Sequence, residues 1–116
     1  MPSKRKLREK IENVSTALEK VKAREGVIGY IHMDSTSAAV DLRDPSKTIE
    51  YAALSATTRE SGEDLSKTFN LGDVNAIVLE GRDTKMLLLI FGDHRLSIFM
   101  DKNVDHNMIF DDLNLT

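Results

Sequence analysis

Hydrophobic positions along the chain follow two rhythms, one helical and one extended. Leu7, Ile11, Val14, Leu18 and Val21 recur in steps of four, three, four and three, a single stripe on a helix running to about Arg24. Two heptads are too few for a coiled coil, so the stripe is predicted to lie on a sheet. Ser3 is placed to cap this helix and Gly26 to end it. Beyond Gly26 the period drops to two. Residues 26–33 read as a strand with Val27, Ile31 and Met33 on one face and Ile28 and Tyr30 on the other. A polar turn at 34–37 leads into a second strand, 38–43. This one is apolar on one face (Ala38, Val40, Leu42), with Asp41 and Arg43 opposite, as suits a sheet edge.

A long helix is predicted over 49–70. Its stripe of Tyr51, Leu54, Thr58, Gly62, Leu65 and Phe69 is expected to seat on the sheet. Opposite lie Ile49, Ala52, Ala53 and Ala56, then Glu60, Glu63 and Lys67. A helix with one buried face has no need of an apolar outer half, and small side chains there admit another backbone closely. This outer half therefore reads as a docking surface. Alanine is also the strongest helix former, which accounts for the alanines without any partner; Ile49 tips the balance toward docking.

Residues 86–91, Met-Leu-Leu-Leu-Ile-Phe, are apolar on both faces. Such a strand is internal, with helices above and below. It is the middle of a three-stranded meander, 73–81, 85–91 and 95–102, turned at Gly81-Arg82-Asp83 and Gly92-Asp93-His94. Residues 104–113 close the chain as a short helix using Val104, Met108 and Leu113. The order helix-β-β-helix-β-β-β-helix gives a single α+β domain over 1–116, a five-stranded antiparallel sheet with helices on both faces. If 26–33 pairs with 95–102, the second edge is 73–81. Val74, Ala76 and Val78 on one face and Ile77 and Leu79 on the other leave that edge apolar and unblunted, which invites another chain. Two copies are expected to join there, with Ile49, Ala52 and Ala56 packing alongside.

Composition narrows the function. At 116 residues, 41% hydrophobic and 30% charged, the chain suits one soluble domain. The absence of cysteine excludes a disulfide framework and a thiolate site. No signal peptide or membrane span is recognisable, so a cytoplasmic location is expected. Lys4, Arg5, Lys6, Arg8 and Lys10 crowd the start of a chain whose net charge is −3. They could touch nucleic acid or anionic lipid, but no aromatics interleave for base stacking, and a solvated helix end is the preferred reading. His32, His94 and His106 stand apart, glycines are scattered, and Asp111-Asp112 reads as an acidic tail. No catalytic, metal or cofactor-binding set is predicted.

Several local patterns, taken with the element order, resemble the Roadblock / dynein light chain family. They are Gly26-Val27-Ile28-Gly29 after an amphipathic helix, the alanine-rich segment from Ile49 to Ala56, the amphipathic strand from Val74 to Glu80, and the segment from Gly92 to Phe99. The match covers nearly the whole chain. It departs at 34–37 and 103–105, where the family often has glycine. The resemblance implies a profilin-like fold and a homodimer with one sheet running across both subunits. It further implies a face of paired helices engaging a Ras-like small GTPase, without enzymatic activity or cofactor. The edge strand would be Val74, Ala76 and Val78. The paired helices would present Ile49, Ala52 and Ala56, with Ala53, Arg59 and Glu60 toward the partner. Positioning the GTPase's own switch loops is preferred to an arginine finger from Arg59. The alternative is a profilin-like sensory domain holding a small ligand in an interior cavity, with Tyr30 and His32 its only polar candidates.

Overall fold

The computed structural model describes residues 4–114; Ser3, the expected cap of the first helix, lies outside them. Helix α1 is Lys4–Lys22, and strands β1 (Val27–Met33) and β2 (Ala38–Leu42) form a hairpin. Helix α2 is Thr48–Phe69, entered through a 3-10 turn at Pro45–Lys47. Strands β3 (Ala76–Glu80), β4 (Thr84–Phe91) and β5 (His94–Asp101) form the meander, and α3 is His106–Leu113. All strands are antiparallel in the order β2-β1-β5-β4-β3. The expected pairing of β1 with β5 holds, and it leaves β2 and β3 as edges.

Alternation along the central strands builds two cores. Leu87 and Leu89 of β4 and Leu96, Ile98 and Met100 of β5 pack with Val14, Leu18 and Val21 of α1 and Ile109 and Leu113 of α3. On the other face Met86, Leu88 and Phe99 join Ile31 and Leu42 under α2, where Tyr51 stacks on Phe99 at 4.4 Å. Two helices cover one face and a single helix covers the other.

Four expectations need correction. First, the faces of β1 are not those of a regular strand. A bulge between Val27 and Gly29 shifts the register, so Val27 and Tyr30 pack under α1 while Ile28, Ile31 and Met33 pack under α2. Gly29 permits it with φ +147°, and a Cβ there would collide with the Asp41 carbonyl. Second, β3 starts at Ala76, so Val74 precedes the edge strand instead of belonging to it. Third, α3 is capped by Asp105, whose carboxylate accepts from the Asn107 amide at 2.9 Å. This phase buries Ile109 and leaves Met108 exposed. Fourth, Asp112 is no frayed tail. The Arg24 guanidinium holds it with two hydrogen bonds, Nη2 to Oδ1 at 3.1 Å, which ties α1 to α3. That pairing keeps the Asp112 pKa below the ordinary carboxylate value.

The first hairpin turn, which contains no glycine, is held by Asp34. Its Oδ1 accepts from the amides of Thr36 and Ser37, both at 2.8 Å, closing the turn. These amide bonds lower the Asp34 pKa to about 2.

Candidate interaction surfaces on helix α2 and strand β3

Helix α2 begins where Asp44 accepts from Ser46 and Pro45 starts the 3-10 turn, and it ends at Asn70 in the left-handed conformation (φ +54°). Between these points the helix is turned differently from expectation. The residues on the sheet are small or polar. Ala52 and Tyr51 pack on the α2-side core, Ser55 and Ser66 are buried, and Gly62 lies over Ile77. A Cβ on Gly62 would come within 2.5 Å of Ile77 Cδ1, so the helix sits close to the sheet. Ala52, placed by the sequence on the outer face, therefore faces inward.

Of the stripe expected on the sheet, Tyr51 and Gly62 reach it, whereas Leu54, Leu65 and Phe69 form an exposed flank. Leu54 is 38% exposed, Leu65 57% and Phe69 67%. Helical spacing puts Thr58, Leu65 and Phe69 on the same side as Gly62, which contacts β3 through Ile77. This flank therefore borders the β3 edge, where Ala76 is exposed and Val78 and Leu79 are each more than two-fifths exposed. Val74 is half-buried beside Gly62. The strand pairs only with β4, so its outer side carries unpaired backbone groups among the described residues. An uncovered apolar helix flank and an open strand edge thus lie side by side.

The opposite flank of α2 is smooth. Ile49, 85% exposed, Ala53, Ala56 and Glu60 all face solvent. Arg59 is half-buried; its Nη1 pairs with Glu63 at 3.5 Å, and its buried Nε has no partner. Between this flank and the sheet lies a cavity of about 70 Å³.

The sheet also brings together histidines that looked isolated. His32 Nε2 and His94 Nδ1 are 3.0 Å apart across β1 and β5, so one ring donates and the other accepts. The Phe91 ring stacks on His94. Burial and the neighbouring His94 lower the His32 pKa from its ordinary value. His106 Nδ1 lies 3.2 Å from Lys85 Nζ. Among the described residues no group of three or more metal-ligating side chains converges, and no helix is long and apolar enough to cross a membrane.

This sheet order, with one long helix on one face and a helix pair on the other, is the fold of Roadblock/LC7 domains. The chain superposes on the Roadblock/LC7 domain from Streptomyces avermitilis with a TM-score of 0.69 at 16% identity, covering 90% of this chain and 88% of that one. For Myxococcus xanthus MglB the TM-score is 0.70 at 13% identity, over 91% and 83% of the two chains. For the gliding protein MglB from Thermus thermophilus it is 0.64 at 16% identity, over 89% and 82%. Identities this low establish a shared fold. No family model and no curated protein matches the sequence.

Proposed function

We propose that the protein is a non-catalytic homodimeric interaction module that binds, and regulates or scaffolds, a Ras-like small GTPase. The observation that carries the reading is the juxtaposition of the Leu54, Leu65 and Phe69 flank with the open β3 edge. A second copy satisfies both at once. Its β3 supplies the missing ladder through Ala76 and Val78, and its α2 covers the apolar flank. Val74 then lies at the border of that interface. The dimer leaves the other flank free, so Ile49 and Ala56, assigned from the sequence to the dimer interface, join Ala53, Arg59 and Glu60 in the partner surface, where Arg59 also pairs with Glu63. The resemblance read from the sequence implies a Ras-like small GTPase as the partner, and the shared Roadblock/LC7 fold is compatible with that reading.

Two variants test the reading separately. Val78→Lys places a charge on the strand edge and is expected to yield a folded monomer by sedimentation velocity. Ala53→Arg alters only the free flank. It is expected to keep the dimer and lose capture of the GTPase from the native extract, detected as bound guanine nucleotide. A Val78→Lys protein that still dimerises removes the interface assignment. Undiminished GTPase capture by Ala53→Arg removes the partner surface.

A further inference from the structure

We infer that the cavity between α2 and the sheet is a docking pocket for one leucine- or methionine-sized side chain on an acidic segment of a partner protein. This inference uses the free flank of α2 but does not depend on the partner being a GTPase. The rim is formed by exposed Ala56 and half-buried Met33 and Arg95, and the floor by buried Ile31, Leu88 and Ser97. The void exists because α2 offers Ala52 and Ser55 where larger side chains would reach the sheet.

Size and charge together define the occupant. A water fills about 10–15 Å³ on this measure, so 70 Å³ takes about five to seven such groups. An isobutyl or thioether side chain of four heavy atoms fits with room to move, whereas a phenylalanine side chain of seven reaches the upper limit. The walls are almost wholly apolar, which excludes a polar metabolite with several hydrogen-bonding groups. Arg95 is the one charged lining residue, and it enters no ion pair among the described residues. A carboxylate next to the anchor would complete it, whereas a cation would be repelled. Ile49, exposed on the same flank, extends the apolar track beyond the pocket.

The test follows the Met33 methyl resonance of the full chain by NMR while three capped peptides are added: Glu-Leu-Glu-Glu, Glu-Ala-Glu-Glu and Lys-Leu-Lys-Lys. The acidic leucine peptide is expected to shift Met33 saturably, and the other two to bind at least about tenfold more weakly. Arg95→Gln should weaken the leucine peptide about tenfold. Ala56→Leu, at an exposed helical position where the fold tolerates it, should fill the pocket and abolish the shift. Absence of any shift, equal affinity for the basic peptide, or undiminished binding to Ala56→Leu would each overturn the assignment. So would a Met33 shift on dilution of the protein alone, which gives the pocket to a second copy. No GTPase enters the assay, so its result is independent of the partner's identity.

Discussion

Replacing Phe69 by glutamine removes the largest apolar side chain from the flank beside β3 while keeping a good helix former. Phe69 is 67% exposed, about 130 Å² if a full phenylalanine is taken as about 200 Å². At ~25 cal/mol per Å² its complete burial contributes about 3 kcal/mol, and a two-fold axis counts it twice. Association orders these side chains and rarely buries them fully, so roughly half of that sum, about 3 kcal/mol, is the expected loss. The dimer dissociation constant should therefore rise on the order of 100-fold. Sedimentation velocity over a wide concentration range measures it. Met108→Gln, at a 47% exposed position on α3 across the sheet, is the control and should leave dimerisation unchanged. Thermal melting of both variants, read where they are monomeric, should show no more than about 0.5 kcal/mol of change. The reasoning fails if Phe69→Gln dimerises like the parent, or if the parent remains monomeric near about 100 µM.

Three further outcomes follow from the packing. Phe99, fully buried and stacked on Tyr51, should cost about 3–5 kcal/mol when truncated to alanine, measured by chemical denaturation. The folded-state pKa of His32 is depressed, so the unfolded chain binds more protons. Its contribution is whole above the ordinary 6.5 and is lost as pH falls from there through the folded value. His32→Gln should flatten that slope in pH-dependent melting, and an unchanged slope would assign it to other groups. Asp112→Asn should lower the melting temperature at neutral pH by loosening the Arg24 clamp between α1 and α3. Because the Asp112 pKa is depressed, the gap between parent and variant should close as pH falls through the carboxylate range.

Strand order, both edges and the two-faced β4 were legible because period-two alternation and unbroken apolar runs have few structural solutions. The orientation of α2 was not. A stripe of Leu54, Leu65 and Phe69 reads as a core face whenever burial is assumed to be internal, and here it borders an open edge instead. Gly62 between Thr58 and Ser66 was the available signal, since a glycine in mid-helix marks a close approach. The apolar alternation of β3 did point to an uncovered edge, but not to the helix flank bordering it. The His32–His94 contact depends on pairing across 62 residues and on the bulge, which no local pattern encodes.

That bulge also decides how β1 can be wrong. The residues before and after Gly29 follow opposite parities, so no regular, bulge-free alignment of the strand along β5 keeps both halves on their own faces. A bulge-free pairing that kept Val27 under α1 would turn Ile31 away from Leu42 and Phe99 and bring His32 into its place. Misaligned pairing is thus penalised on both layers at once, and the kink works as a key that only one alignment fits.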